Sequence, residues 1–558
     1  MHNAVPRMWY RAHGPSTVST VFDVLIEGGR VVDGTGAPPY PADVGVRDGR
    51  IEAVGDLSSG GSRTAAATVA AAGRLVVPGF IDAHVHGDAT VLDPGVQLAV
   101  LRQGVTTFVL GQDGLSFAPS GPETLRFVTR YFAAINGAHP ALDGGPVSVA
   151  DLLASYDRAT ALNTVYLVPH GTVRHAASGD PSAMLRLVEQ GLEDGAAGLS
   201  SGLEYVPGRY GDAAELAALC APVARAGLPY VTHMRGYEEA AATGMAEARA
   251  IAERAGVALH VSHYHGPGER LAGMVDRALA AGLDVTFDSY PYLSGFSILA
   301  MVALPRDLDG PGVPGPGPDG RTGDGLGGTP GGAGDGTARP DLDRTVALLH
   351  DPAVRRRLAR ETDPTLWRRA VLAHVPAAEF AWTEGRTLAE AAAEAGRGPA
   401  DFCADLLIAT GLAASCVFAQ PPGNDDASMR LLLRHPAHLG GSDAIHIGGH
   451  PHPRAFGAFA RFLGRHVREL GDWTWQEAVA HLSSGPARRF RLPDRGQIRP
   501  GMAADLVVVD PGKVADTADY SRPRVLAEGI DDVLVGGVPV LAGGALTGAR
   551  PGRPLRPR

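Results

Sequence analysis

The sequence predicts an α/β chain: a (β/α)8 TIM barrel with a small β-sandwich domain built from both termini. Three observations predict it. Apolar, strand-like segments recur through the middle of the chain, each followed by a helical stretch rich in Ala, Leu and Arg, and such alternation implies a parallel sheet. Nearly every segment ends in a polar, metal-competent or aromatic residue, and barrel enzymes place their sites at those C-terminal strand ends. Strand-rich stretches punctuated by turn residues lie at both ends of the chain, which suggests one small β domain drawn from both.

Taken in order, residues 1–21 contain no hydrophobic core of signal-peptide type and read as a disordered tail. Residues 22–76 alternate apolar and polar residues, and Asp48-Gly49 is a hairpin signal. With residues 485–555 they would form the composite β domain, leaving 77–484 for the barrel. Its candidate strands run to about His86, Asp113, His170, Tyr205, Arg235, His265, Tyr292 and Asp443. About 145 residues separate the last two, far more than an ordinary βα connection. Within that gap, 307–338 is rich in Gly and Pro and poor in large apolar residues, so it reads as a flexible insertion. Residues 340–412 read as helical, and together the two could cover the site or merely decorate the surface.

Composition bounds the rest. The chain has 558 residues, enough for a large barrel and an accessory domain, and its net charge of -10 argues against a general nucleic-acid binder. No apolar run is long enough to span a bilayer, so no membrane partner is expected. The three cysteines, Cys220, Cys403 and Cys416, have no metal-type spacing, and a reducing cytoplasm is the expected setting. Lys513 is the only lysine, so no carbamylated lysine can bridge two metals in the catalytic region.

The chemistry centres on "VVPGFIDAHVHGD" (76–88). Side chains alternate along an extended segment, so His84 and His86 project the same way, half of a metal site. His233 in "YVTHMR" and His263 in "HVSHYH" stand near the ends of later strands. One such histidine is more often structural; four at equivalent barrel positions shift the balance to ligands. Asp443 in "GGSDAIH" could cap a helix, but in this company it reads as metal ligand and general base. Asp113 in "VLGQDG" is either a common Asp-Gly turn or the carboxylate that bridges two ions. Amide hydrolysis at neutral pH needs an activated water and a polarised carbonyl, and zinc supplies both.

Beyond these, the motifs "QGVTTFVLGQDGLSFAP", "GAAGLSSGLEYVPGRY", "SYPY" and "GSDAIHIGGHPHPRAFGAFARFLGRHVRE" resemble those of the N-acyl-D-amino-acid deacylases (D-aminoacylases) of the amidohydrolase superfamily, over about 22–555. The resemblance implies hydrolysis of N-acyl-D-amino acids with one or two Zn2+ ions. It implies that His84, His86 and Asp443 hold one metal, that His233 and His263 hold the other, and that Asp113 lies between them. Family members commonly have cysteine at that bridging position, and lysine where this chain has His265. Lysine could hold a substrate carboxylate; His265 would be only partly charged near pH 7, or simply packed at the rim. Arg454 matches the position expected to clamp the α-carboxylate, with Tyr292 as hydroxyl partner, although either could be structural. His170 and Arg174 have at most a pocket role, and His446, His450 and His452 read as loop-shaping groups. A hydantoinase- or dihydroorotase-like cyclic-amide hydrolase is the competing reading, and a non-catalytic scaffold a more remote one. The missing lysine weighs against the first and the full ligand set against the second.

Overall fold

The computed structural model describes residues 22–57, 64–305, 308 and 341–558. The expected tail and, apart from Leu308, the expected 307–338 insertion lie outside the described residues.

Eight strand segments carry the central pattern. They are β1 (Phe80–Asp82), β2 (Val105–Leu110), β3 (Asn163–Tyr166, resumed at Val168–Pro169) and β4 (Leu199–Gly202). Then come β5 (Pro229–His233), β6 (Ala258–Val261), β7 (Val285–Ser289) and β8 (His438–Gly440). Neighbours in the chain are neighbours in space, and every pair is parallel. Leu167 joins the two halves of β3: its N–H donates to Leu110 at 3.0 Å, and that of Val168 to Gly198 at 2.9 Å. From β1 towards β8, the Ala83 N–H donates to the Gly440 carbonyl at 3.1 Å, and Val85–His86 then pairs in parallel with Ala444–Ile445.

Period-two alternation sorts the strand side chains. Ile81, Val109, Val165, Val231 and Leu439 meet in one buried cluster, while Phe80, Phe108, Leu110, Tyr166 and Tyr230 join the larger core shared with the helices. The helices start where the sequence caps them. Asp93 and Asp180 each precede a proline and accept from Gly95 and Ala183, and Asp212 accepts from Glu215. Ala487, Phe490, Leu492 and Leu555 belong to the strands' inner cluster. Residues 485–492, which the sequence assigned to the composite β domain, thus pack through Ala487, Phe490 and Leu492 against strands β1, β2, β3, β5 and β8.

Both termini do share one sheet. Its nine strands include Phe22–Val31, Tyr40–Arg47, Arg50–Gly55 and Leu75–Pro78 from one end, and Leu506–Val509, Ile530–Val535 and Val538–Ala542 from the other. The seam is the antiparallel pairing of Leu75–Pro78 with Leu506–Val509. Asp48 and Gly49 turn the expected hairpin with φ of 50° and 74°, the sign that a two-residue turn of this kind demands.

Between β7 and β8 the sequence reading needs correction. Helices Leu342–Leu348, Pro352–Glu361 and Pro399–Ala409 are present, but Ala370–His374 within that stretch is a strand. It pairs antiparallel with Ser415–Ala419, which pairs in turn with Ser294–Ile298. An alanine-rich five-residue segment carries little β signal alone, and its partners supply the preference. Among the described residues no helix is long and apolar enough to cross a membrane.

Candidate metal centre

The predicted ligands come together just past the C-terminal strand ends. His84 and His86 follow β1, Asp113 follows β2, His233 ends β5, His263 follows β6 and Asp443 follows β8. All are buried. Asp113 is the hub: its Oδ1 lies 3.6 Å from His84 Nε2, and its Oδ2 lies 3.5 Å from His86 Nε2, 3.5 Å from His233 Nδ1 and 3.6 Å from His263 Nε2. Asp443 Oδ1 is 3.7 Å from His84 Nε2 and 3.5 Å from His86 Nε2. Asp113, His263 and Asp443 have φ of 54°, 34° and 47°, a left-handed conformation that is uncommon for non-glycine residues.

These distances are long for hydrogen bonds. They match the separation of two ligands on one tetrahedral zinc, about 3.3–3.6 Å for bonds of 2.0–2.2 Å. His84 Nε2 and Asp113 Oδ1 are buried without a hydrogen-bond partner among the described residues. In two triads the ligand atoms all lie within 4.8 Å of one another: His84, His86 and Asp443, and His84, Asp113 and His263. His233 Nδ1 and His263 Nε2, at 2.9 Å, stand closer than two zinc ligands do, so that pair must open by about 0.4 Å to share an ion. Electrostatics point the same way. Burial opposes charge on His86 and His233, yet Asp113 with Asp443 raises His86 to about 10, and Asp113 with Glu204 raises His233 to about 9. Burial would also raise Asp113, but the imidazoles of His84, His233 and His263 hold it well below the usual carboxylate range. The carboxylates thus draw positive charge into this space, and a divalent ion fits the demand.

A second layer of groups sets the ligands, and sequence reasoning missed it. Glu204 Oε2 accepts from His233 Nε2 at 3.1 Å, which leaves Nδ1 as the ligand atom. Asp82 accepts from the backbone N–H of Ser442 at 2.8 Å and of His84 at 3.3 Å, tying the β8 loop to the β1 loop. Asp88 accepts from the Gly111 N–H at 3.1 Å and so fixes the turn that carries Asp113. Asp288, wholly buried in β7, lies behind His84. The available signal was a buried-strand aspartate in "VTFDS", beside Phe287.

A cavity of about 640 Å3 opens over the ligands. His86, Asp113, His233, His263 and Asp443 line one end, and Ile135, Leu203, Phe296, Met301, Val302 and Phe418 line much of the rest. The residues expected to hold substrate fare differently. Arg454 is wholly buried beside Asp443, with Nη2 at 2.7 Å from Oδ2 and its guanidinium 4.3 Å over the Tyr290 ring. Its Nε and Nη1 have no hydrogen-bond partner among the described residues. Tyr292 is not its partner: the Tyr292 hydroxyl sits 3.4 Å from Asp516 and its ring lies under Arg461, while Tyr290 lines the cavity. His265 lines the cavity and stacks on Tyr237 at 5.0 Å. Burial, with His263 adding, pushes its imidazole down to about 4, so it is neutral near pH 7 where partial charge was expected. Its Nδ1 donates to the His263 carbonyl at 2.6 Å, leaving Nε2 as an acceptor. His170 is bonded to Glu215 at 2.8 Å away from the cavity, and Arg174 pairs with the same carboxylate. His452 Nδ1 accepts from the Arg454 N–H at 3.0 Å and shapes that loop. His450 donates to the Tyr520 carbonyl at 2.8 Å, and His446 is buried near Phe108 and Phe456.

Known proteins resemble this chain over nearly its whole length. An N-acyl-D-glutamate deacylase from Alcaligenes xylosoxydans xylosoxydans is 32% identical, covering 96% of both chains. A D-aminoacylase from the same organism is 31% identical, covering 96% of this chain and 98% of its own. A crystal structure of N-acyl-D-glutamate deacylase from Bordetella bronchiseptica, complexed with zinc and a phosphonate mimic of the tetrahedral intermediate, matches with a TM-score of 0.76 at 30% identity, covering 96% of this chain and 99% of that one. D-hydantoinase structures share the fold alone, one at 16% identity with a TM-score of 0.54. With the Amidohydrolase family profile matching residues 67–541, the chain belongs to the amidohydrolase family.

Proposed function

We propose that this chain is a metal-dependent amide hydrolase that converts an N-acyl-D-amino acid and water to a carboxylate and a free D-amino acid. The observation that carries this reading is the gathering of four imidazoles around Asp113, with Asp443 beside two of them. His84, His86 and Asp443 would hold one zinc ion, His233 and His263 the other, and Asp113 would bridge them. Zinc bound here supplies water activation and carbonyl polarisation. Asp443 accepts a proton from the attacking water on a carboxylate oxygen and returns it to the departing nitrogen as the C–N bond breaks. Burial would raise Asp443, but Arg454, His86 and the neighbouring imidazoles hold it below the usual range, so it is ionised and ready to accept. This reading gives the substrate carboxylate to Arg454, whose Nε and Nη1 have no hydrogen-bond partner among the described residues; here Tyr290 lines the cavity and Arg454 lies behind its ring. His265 accepts through Nε2 and does not supply a charge.

The same reading closes β1 to β8 as a barrel, supported by the Ala83–Gly440 bond, and packs the terminal sheet as a sandwich. The composite domain then comprises 22–76 and the strands from 506 onward, and the barrel comprises 77–484 with 485–492. Three buried, unpaired cysteines suit a reducing compartment such as the cytoplasm.

The test is hydrolysis of N-acetyl-D- and N-acetyl-L-amino acids by zinc-replete enzyme, with Asp443→Ala alongside. D-selective release, lost by 10^2-fold or more in the variant, is the expected result. Release from hydantoins but not from linear amides would overturn it.

A further inference from the structure

The Asp288 carboxylate reaches both halves of the candidate metal centre. Its Oδ1 accepts from the backbone N–H of His263 at 2.8 Å. Its Oδ2 accepts from His260 Nε2 at 3.0 Å and lies 3.4 Å from His84 Nδ1. His260 is held from behind by Thr286, whose hydroxyl is 2.8 Å from Nδ1. Asp288, His260 and His84 are fully buried, and Gly441 leaves the necessary room: a Cβ there would stand 2.8 Å from Asp288 Oδ1.

His84 is 0% exposed, and neither of its ring nitrogens has a hydrogen-bond partner among the described residues. A buried imidazole left so is costly. A carboxylate faces each of its ring nitrogens: Asp113 and Asp443 at Nε2, Asp288 at Nδ1. An imidazole that gives Nε2 to a metal must carry its proton on Nδ1, and that proton needs an acceptor.

We propose that Asp288 is the positioning residue that fixes the His84 tautomer, holding the proton on Nδ1 so that Nε2 is free to ligate. Through the His263 backbone it also keeps the second ligand pair in register with the first. The role rests on the metal-dependent reading above.

Asp288→Asn tests it in the full-length enzyme. The amide oxygen can still accept from His263, but the NH2 now faces His84 Nδ1 as a donor. His84 must then move its proton to Nε2 and lose its metal-binding lone pair. The measurement is zinc stoichiometry and affinity after dialysis, alongside apo-protein thermal unfolding. Wild type is expected to hold two zinc ions. The variant should bind the ion at His84, His86 and Asp443 about 10- to 100-fold more weakly, with the apo protein still unfolding in one cooperative transition and turnover restored by excess zinc. A variant that binds both ions as tightly as wild type overturns the Asp288 role and leaves the metal reading standing. Wild type that takes up no zinc overturns both. A crystal structure of the wild-type zinc form gives an answer that does not depend on the variant folding. The His84 Nδ1–Asp288 Oδ2 distance should close to about 2.8 Å, and one still near 3.4 Å excludes the bond.

Discussion

Asp113, His263 and Asp443 each hold a positive φ that costs of order 1 kcal/mol, and the surrounding bonds keep them there. His263 is held by Asp288 through its N–H at 2.8 Å, and Asp443 donates its own N–H to the His84 carbonyl at 2.8 Å. Away from the site, His139 offers a clean test of burial on a single residue. Burial lowers its imidazole from 6.5 to about 4. The folded state therefore refuses a proton that the unfolded chain accepts, and stability falls as pH drops from about 6.5 to about 4. His139→Asn should flatten the dependence of unfolding free energy on pH in that window, measured by chemical denaturation; an unchanged slope would show that His139 is protonated in the fold. The six proposed metal ligands were legible in sequence because their residue types are apt and recur at equivalent places. Glu204, Asp82 and Asp288 were not, because their meaning lies in partners on other strands. The expectation for Tyr292 comes from its place in the "SYPY" motif, at a strand end that the sequence puts at Tyr292 and the structure puts at Ser289.

At the scale of elements, the three-stranded sheet inserted between β7 and β8 makes a wall of the cavity, contributing Phe296 and Phe418. Both are half-buried apolar side chains with one face open to the cavity. Phe418→Ala should raise KM about tenfold for a substrate with a large apolar side chain or acyl group and leave kcat within a factor of about 3, because the contact is made in ground and transition state alike. Equal KM values for acetyl-alanine and bulkier substrates, in wild type and variant, would place the substrate elsewhere. The long gap in the β/α pattern was plain from the sequence, but its architecture was not. Strands of five residues draw their stability from cross-strand partners, and a single-chain pattern does not display those pairings.

Over the whole molecule, distant parts of the chain complete each other. The Leu555 N–H donates to Thr164 at 2.7 Å, and the Thr164 N–H donates to Arg553 at 3.0 Å, so residues 553–555 run alongside β3. Gly552 permits the approach: a Cβ there would lie 2.0 Å from the Leu162 carbonyl oxygen and 2.6 Å from that of Thr160. Gly552→Ala should cost about 2 kcal/mol and lower the calorimetric midpoint by a few degrees, with no change in zinc content. A midpoint equal to wild type would mean that the tail is dispensable. The sharing of one sheet by both ends was legible because each end alternates with turns at the right spacing. The packing of 485–492 onto the parallel strands was not, since Phe490 and Leu492 carry no strand or helix period of their own. The seam between Leu75–Pro78 and Leu506–Val509 also has a consequence in time. A ribosome adding roughly 5–20 residues per second needs about 20–90 s to pass from one to the other. Throughout that interval one edge of an almost wholly aliphatic strand waits without its neighbour, next to the segment that carries His84 and His86. Slowing translation should lengthen the exposure of that edge in proportion.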